Sequence, residues 1–181
     1  MSKSFSDLGI NQLLQQSLSE LQLAIPTDIQ QKAIPIILGQ SKDIVAIAKT
    51  GTGKTAAFGL PLLQLMDAKD SNVQALILAP TRELGHQIHA SLVSYASLSS
   101  EISIAALCGG IPIKPQIERL KSPTHIVVAT PGRLLDLISK GALSLKALKY
   151  LILDEADEMV TAFKDDLDQI IKNIPKAHRT L

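Results

Sequence analysis

Apolar residues are grouped along the chain in short continuous runs, and these runs alternate with segments of helical periodicity. The runs predict strands at 43–48, 74–79, 103–107, 125–129 and 149–153. Between them, leucine and isoleucine recur at the spacing of one helix face, which predicts helices. Alternation of this kind favours an α/β fold with a mostly parallel sheet that is covered by helices on both faces.

Two helices are predicted ahead of the first strand. The segment 11–23 repeats leucine on one face, as an amphipathic helix does. Thr27 and Gln30 have the spacing of a capping box, so the simplest role of Gln30 is to cap the second helix. We expect that helix to run through Leu38, with a kink at Pro35.

Short polar signatures follow directly after the predicted strands. Right-handed crossovers place the carboxyl ends of parallel strands along one edge of a sheet, where ligands bind in open α/β folds. The signatures lie at 48–55, 80–84, 109–110, 130–133 and 154–157. We therefore expect all of them to meet at this edge and to form one functional surface.

The first signature, Ala48 to Thr55, has the sequence A-K-T-G-T-G-K-T. It matches the phosphate-binding pattern G-x-x-x-x-G-K-[ST] except at its first position. Gly51 and Gly53 can adopt backbone conformations that turn successive N–H groups toward phosphate oxygens. Lys54 would contact the β- and γ-phosphates, and the Thr55 hydroxyl would bind Mg²⁺.

Two carboxylates follow the last predicted strand. Asp154 has the setting of the residue that holds Mg²⁺, directly or through water, in phosphate-loop ATPases. Glu155 can orient or deprotonate the water that attacks the γ-phosphate. Alternatively, the acidic residues of 154–158 gather at a helix N-terminus because of its dipole. A phosphate loop in the same sheet favours the catalytic interpretation.

Basic side chains follow two other strands. Arg82 and Arg133 can each donate to phosphate through a planar guanidinium. The alternative is a solvated or carboxylate-paired arginine, such as Arg82 with Glu83. His86 and His89 have helical i, i+3 spacing, but without a third ligand a solvated helix face is the better interpretation.

Composition and charge limit the possible partners. The 181 residues are 46% hydrophobic, which suits one domain with a sizeable core. The net charge is only +1, so any contact with nucleic acid must be local. Three Phe, two Tyr and no Trp leave no ladder on which bases could stack, so contacts to the sugar-phosphate backbone are expected.

The sequence also bears on the cellular compartment. Cys108 is the only cysteine, which excludes an internal disulfide and fits a reducing cytoplasm. The first residues lack the apolar core of a signal peptide, and no run is long and apolar enough to span a membrane. These features predict a soluble, cytoplasmic protein without membrane contacts.

Taken in order and spacing, the motifs resemble the first RecA-like domain of a DEAD-box RNA helicase. The matching segments are A-K-T-G-T-G-K-T, P-T-R-E-L, G-G, T-P-G-R and D-E-A-D. The resemblance covers the chain from Phe5 to its last residue. It implies that residues 1–181 form a three-layer, RecA-like P-loop NTPase domain that binds ATP and Mg²⁺.

The resemblance implies roles for individual residues in the nucleotide site. Pro26 to Gln30 resembles the family's Q motif, so Gln30 would hydrogen-bond the adenine edge and Phe5 would pack against the base. Lys54, Asp154 and Glu155 would be catalytic, and the metal would be held by Thr55 and Asp154. The phosphates would be enclosed by Thr50, Gly51, Thr52, Gly53, Lys54 and Thr55.

The resemblance also implies an RNA site and a partner domain. The RNA backbone would be contacted, independently of sequence, by Thr81, Arg82, Gly110, Thr130, Gly132 and Arg133. Asp157 would couple to the family's S-A-T motif. That motif should begin where 178–181 ends, so the second RecA-like domain is expected to be absent from this chain.

Two smaller departures from the family pattern accompany the missing motif. Gln22-Leu23 stands where a Gly-aromatic pair is usual, which affects local packing. Gly85-His86 replaces the more common small-residue start of the segment after P-T-R-E-L. Neither change touches a residue that the resemblance assigns to nucleotide or RNA.

The implied function is ATP-dependent separation of short RNA duplexes, driven by closure of two domains around ATP and RNA. With half of each site, the isolated chain is expected to bind nucleotide weakly and to turn over little ATP. One alternative is a non-catalytic clamp that binds ATP or RNA. Another is a different phosphate-loop enzyme, such as a DNA helicase or a nucleotide kinase.

Overall fold

A sheet of parallel strands forms the centre of the protein in the computed structural model, which describes residues 3–49, 51–99 and 101–181. The strand order is β2-β3-β1-β4-β5. The strands are β1 (Ala75–Leu78), β2 (Ile104–Leu107), β3 (Ile126–Ala129), β4 (Tyr150–Leu153) and β5 (Arg179–Thr180). Every pairing between them is parallel, as predicted from the alternation of strands and helices.

Helices connect the strands and precede the first of them. Within the described residues they are α1 (Gln12–Glu20), α2 (Asp28–Gly39), α3 (Lys54–Leu65), α4 (Arg82–Tyr95), α5 (Ile113–Arg119), α6 (Pro131–Ser139), α7 (Ala156–Ala162) and α8 (Lys164–Lys172). All of these lie in segments predicted to be helical or directly after a predicted strand exit. In α8, Leu167 and Ile170 are buried, whereas the side chain of Ile171 is 50% exposed.

The sheet separates two apolar cores, so the fold has three layers. Alternate residues of a strand face opposite sides. Ala75 and Ile77 of β1 pack with α1, α2, α3 and α4 in one core, whereas Leu76 and Leu78 pack with α6, α7 and α8 in the other. All four residues are fully buried. This arrangement confirms the predicted α/β architecture with helices on both faces.

The predicted strand at 43–48 is wrong. The segment forms no strand, and it contacts β5 at Thr180, whose carbonyl accepts from the Ile44 N–H at 3.0 Å and whose N–H donates to the Asp43 carboxylate at 2.8 Å. The side chains of Val45 and Ile47 are 90% and 92% exposed. A strand requires a paired neighbour, and β5 has only two residues to offer one. The edge position belongs instead to β5, which the apolar pattern did not predict.

Arg179 holds β5 against the end of α2. All three nitrogens of its buried guanidinium donate to backbone carbonyls, which are those of Lys42 at 2.6 Å, Ile37 at 2.6 Å and Ile36 at 3.2 Å. The last carbonyls of a helix lack intrahelical partners, and a basic side chain can satisfy them. Arg179 therefore fixes the segment that leads from α2 toward the phosphate loop.

Helix α1 is shorter than predicted and ends at a strained residue. Asn11 caps its start through its side chain. At the other end, Leu23 N–H donates to Leu18 C=O and Gln22 N–H donates to Ser19 C=O, the two bonds of a Schellman motif. Gln22 has φ of 59°, where glycine is favoured. The helix stops because the chain takes this left-handed conformation.

Among the residues that the structure describes, none of the helices has the length and apolar character needed to cross a bilayer. This agrees with the absence of a long apolar run in the sequence.

Candidate nucleotide and nucleic-acid site

The strand register brings the predicted signatures to one edge of the sheet. Leu78 at the end of β1 is paired with both Ala129 of β3 and Leu153 of β4, and Leu107 of β2 is also paired with Ala129. The residues that follow these strands therefore start at the same level. The phosphate loop joins them through Lys54, which contacts Glu155. The predicted convergence at the carboxyl ends of the strands is confirmed.

The phosphate loop turns through two glycines in the left-handed region. Gly51 has φ of 79° and Gly53 has φ of 89°. Gly53 is the N-cap of α3 and offers no side chain to the first N–H groups of the helix. These donors and the helix dipole form a site for an anion. Thr50 lies outside the described residues.

Gln30 links α2 to this loop. Its carbonyl oxygen accepts from the Thr27 N–H at 3.0 Å, and its amide nitrogen donates to the Gly53 carbonyl at 3.1 Å. The capping box is therefore confirmed, and the contact to Gly53 adds a second function for the same side chain. An amide group has two donors and two acceptor lone pairs, and the described contacts of Gln30 use one of each.

Phe5 lies in the core rather than on an open surface. Its side chain is 6% exposed and belongs to the apolar cluster that contains residues of α1, α2 and α3. Only a small part of the ring is free to meet a ligand. Stacking of Phe5 on a base stays a prediction.

Lys54 and the D-E-A-D signature form the charged centre of the site. Lys54 Nζ lies 3.1 Å from Glu155 Oε1. Asp154 is 8% exposed, and its carboxylate accepts a hydrogen bond from the Glu155 N–H at 3.2 Å. Burial raises the pKa of Asp154 above its ordinary value, and Lys54 opposes this rise. Glu155 has φ of 50°, a strained conformation of the kind that collects at functional sites.

A groove of about 480 Å³ opens beside this centre. Its polar lining includes Lys54, Asp154, Glu155 and Asp157. Residues of 44–48, α2, α3, β4 and 180–181 line most of the rest. The volume falls in the range of small-molecule and cofactor sites. Among the described residues there is no group of three His, Cys, Asp or Glu side chains that could hold a metal without help from a ligand.

Thr81, Arg82 and Gly110 adjoin one another on the exposed side of the edge. Thr81 caps α4, with its hydroxyl oxygen accepting from the Leu84 N–H at 3.2 Å. Arg82 lies against Gly110, so closely that a Cβ at Gly110 would collide with the guanidinium. Gly110 has φ of 82°, which also favours glycine. Arg82 lies only 3.9 Å from Glu83, and both side chains are largely exposed.

Arg133 is bound within the protein. Its Nη1 donates to Gln116 Oε1 and its Nη2 donates to the Ile111 carbonyl, both at 2.8 Å. Thr130 Oγ1 accepts from the Gly109 N–H at 3.3 Å. Gln116 was not among the predicted site residues, because a glutamine in a short helix carries no motif. Its 5% exposure is the signal that distinguishes it.

The chain resembles known proteins over its whole length. A model of the DEAD/DEAH box helicase family matches residues 27–181. The ATP-dependent rRNA helicase RRP3 of Gibberella zeae is 46% identical over 180 residues, which cover 98% of this chain and 37% of that protein. The ATP-dependent RNA helicase CshA of Listeria monocytogenes is 44% identical over 178 residues, with 98% and 34% covered. The chain thus spans well under half of these curated relatives.

Solved structures give the same result. A DEAD box protein from the hyperthermophile Methanococcus jannaschii superposes with a TM-score of 0.92 at 40% identity and covers 100% of this chain, which spans 50% of that protein. A Dbp5 variant of Saccharomyces cerevisiae, bound to RNA and ADP BeF3, gives 0.90 at 29% identity, with 99% and 45% covered. Sequence, fold and edge geometry agree, and the chain belongs to the DEAD/DEAH box helicase family.

Proposed function

We propose that this chain is the nucleotide-binding half, and part of the RNA-binding surface, of an ATP-dependent RNA helicase. Two relatives are named as helicases of RNA or rRNA, and a related structure contains RNA and ADP BeF3. In this proposal a second RecA-like domain completes both sites. A site divided between two domains becomes functional only when they close.

ATP phosphates would bind at residues 51–55. Support comes from the left-handed Gly51 and Gly53 and from the first turn of α3, which lacks a side-chain cap. Lys54 would exchange the Glu155 carboxylate for the β- and γ-phosphates. Gln30 would use its remaining donor and acceptor on adenine, whose N7 and N6 offer the complementary pair.

Asp154 fits a Mg²⁺ site. It is a buried carboxylate with a raised pKa, so a cation beside it would relieve the penalty of burial. Thr55 follows Lys54 in the first turn of α3 and would add its hydroxyl. Bound Mg²⁺ supplies charge neutralisation during phosphoryl transfer. Phosphate and water oxygens would complete its coordination, as is usual for this ion.

Glu155 would prepare the attacking water. Once Lys54 turns to phosphate, the Glu155 carboxylate is released from its ion pair and can accept a hydrogen bond from that water. Lys54 stabilises charge on the γ-phosphate in the same step. The two residues thus exchange partners when nucleotide arrives.

RNA would bind along the exposed side of the same edge. Thr81 and Thr130 are the N-caps of α4 and α6, and N-terminal N–H groups of such helices attract phosphate. Arg82 is 54% exposed and can add a charged contact. Gly110 and Gly132 are exposed, and without side chains they would allow the RNA backbone to approach closely. Arg133 would add the guanidinium donors that the protein leaves unused.

The observation that carries this proposal is the 3.1 Å contact between Lys54 and Glu155, because it joins the phosphate loop to the D-E-A-D signature. The test is RNA-stimulated ATP hydrolysis by the full-length protein that contains this chain. Glu155→Gln should lower turnover about a hundredfold or more. Glu158→Gln changes an exposed acid three residues away and should leave turnover near the unmutated rate.

The same assay separates the proposal from its rivals. If Glu155→Gln hydrolyses ATP as fast as the unmutated protein, Glu155 is not the water-orienting group. If RNA does not stimulate hydrolysis, the helicase proposal fails. A clamp would hold RNA equally well with either side chain at position 155. The isolated chain should show weak nucleotide binding and little turnover with or without RNA.

A further inference from the structure

Gln116 joins two loops of the proposed RNA surface. It lies in α5 and is buried, with 5% of its side chain exposed. Its amide nitrogen donates to the Cys108 carbonyl at 2.9 Å, and its amide oxygen accepts from Arg133 at 2.8 Å. Cys108 precedes the loop that follows β2, whereas Arg133 lies at the start of α6, after β3. One side chain therefore contacts both strand exits.

Further bonds close a network around this bridge. Arg133 Nη2 donates to the Ile111 carbonyl at 2.8 Å, on the far side of the glycine pair. The Gly109 N–H donates to Thr130 Oγ1 at 3.3 Å. The segment from Cys108 to Ile111 is thus held at three points by residues of the neighbouring exit and of α5. A glycine pair without such support would be free to sample many backbone conformations.

We propose that Gln116 is a positioning residue of the RNA-binding surface. It holds Arg133 and the loop 108–111 in a single arrangement, so that Gly110 and Arg133 meet the RNA backbone at a fixed separation. The inference rests on the proposed function and deepens it. Gln116 itself is buried and touches no RNA.

Physical chemistry separates this role from simple packing. A guanidinium has five N–H donors, and the two nitrogens that Gln116 and Ile111 engage leave donors available for phosphate. Because these bonds already hold the Arg133 side chain, it loses less conformational entropy on binding RNA than a free arginine would. Without Gln116, Arg133 keeps one protein contact and the Cys108 carbonyl loses its partner. The loss should therefore affect RNA more than nucleotide.

The test compares substitutions of two buried glutamines in the full-length protein. Gln116→Met removes both bonds while preserving length. Gln116→Glu retains an acceptor for Arg133 but loses the donor to Cys108. The control is Gln74→Met, since Gln74 is also fully buried and bonded to the carbonyls of Asp67 and Asp70. Gln74 directly precedes β1, so it lies at the amino ends of the strands, away from the carboxyl ends where the proposed RNA surface lies.

Three quantities are measured for each variant: affinity for a fluorescein-labelled oligouridylate, affinity for Mg-ADP, and the midpoint of thermal unfolding. Gln116→Met should weaken RNA binding about tenfold, with Mg-ADP affinity unchanged. Gln116→Glu should lose less RNA affinity because Arg133 stays anchored. Gln74→Met should lower the unfolding midpoint without changing RNA affinity. Unchanged RNA affinity in Gln116→Met, or equal loss of RNA and Mg-ADP affinity, would overturn the inference.

A second readout separates this inference from the proposed function. The guanidinium N–H signals of Arg133 in an NMR spectrum should exchange slowly with water in the unmutated chain and quickly in Gln116→Met. If the unmutated protein binds no RNA, the proposed function fails whatever Arg133 does. If RNA binds but the Arg133 signals exchange quickly in the unmutated chain, only the role of Gln116 is refuted.

Discussion

The ammonium nitrogen of Lys54 and a carboxylate oxygen of Glu155 lie 3.1 Å apart, although 101 residues separate them in the sequence. The side chains are 22% and 30% exposed. In this arrangement the two side chains neutralise each other's charge, whereas the proposed catalysis needs them apart. In the proposed site, a nucleotide phosphate must compete with Glu155 for Lys54, and the ion pair would oppose binding until that exchange occurs.

Glu155→Gln should tighten nucleotide binding. Removing the carboxylate frees Lys54 and removes a negative charge near the phosphates. Because the pair is only partly buried, the expected gain in affinity is about two- to fivefold. Titration calorimetry with Mg-ADP measures it, with Glu158→Gln as the control for a change in charge alone. Equal or weaker binding by Glu155→Gln would show that the ion pair does not restrain Lys54.

Gly53→Ala should abolish nucleotide binding, while Gly39→Ala should leave it intact. At Gly53, φ is 89° and a Cβ would meet the amide of Gln30, so the loop and its contact to α2 would both be displaced. At Gly39, at the end of α2, a Cβ would meet nothing within 4 Å. The measurement is Mg-ADP affinity of both variants. Retained affinity in Gly53→Ala would contradict the role of the loop.

Asp154→Asn should stabilise the folded chain at neutral pH. Burial raises the folded-state pKa of Asp154 above 3.8, so folding favours the protonated carboxyl. That contribution is present below 3.8 and is lost as pH rises through the folded pKa. At pH 7 the ionised carboxylate destabilises the fold, and the amide should raise the free energy of unfolding.

Urea unfolding measured as a function of pH checks the predicted direction in which the stability difference changes. The difference between Asp154→Asn and the unmutated chain should shrink as the pH falls toward 3.8. Asp136→Asn, at an exposed position of α6, serves as the control and should change little. A stabilisation that persists or grows in acid would contradict the assigned cause.

Gln22→Gly should stabilise the protein by about 1 kcal/mol, because the left-handed conformation is unfavourable for residues with a Cβ. Gln22 holds φ of 59° in the Schellman motif that ends α1. Gln22→Ala keeps the Cβ and should stay within a few tenths of a kcal/mol of the unmutated chain. Equal stability of the glycine and alanine variants, measured by urea unfolding, would rule out backbone strain at this position.

Local sequence patterns predicted the elements whose formation depends on near neighbours. The box of Thr27 and Gln30 follows from residues three apart, and the strands β1, β3 and β4 follow from continuous apolar runs. The carboxyl ends of these strands lie at one edge of the sheet because the strands pair in parallel register. The position of Asp154 could therefore be predicted from a strand exit, whereas that of Lys54 was predicted from the Gly-rich loop that begins α3.

The remaining features depend on contacts between distant segments. Residues 43–48 have the composition of a strand, yet Val45 and Ile47 lie exposed because a strand needs a neighbour as well as a pattern. Arg179 bonds to Ile37, 142 residues away, and Gln116 bonds to Arg133 across two strand exits. No periodicity encodes such pairs, and only burial of a polar side chain reveals them.

The most direct test of this account is a structure of the chain with Mg²⁺ and a non-hydrolysable ATP analogue. We predict that Lys54 Nζ lies about 3 Å from a β- or γ-phosphate oxygen and that its 3.1 Å contact with Glu155 is broken. The metal should lie beside Asp154 and adenine beside Gln30. A nucleotide bound elsewhere, with the Lys54–Glu155 contact intact, would contradict the assignment of this edge as the nucleotide site.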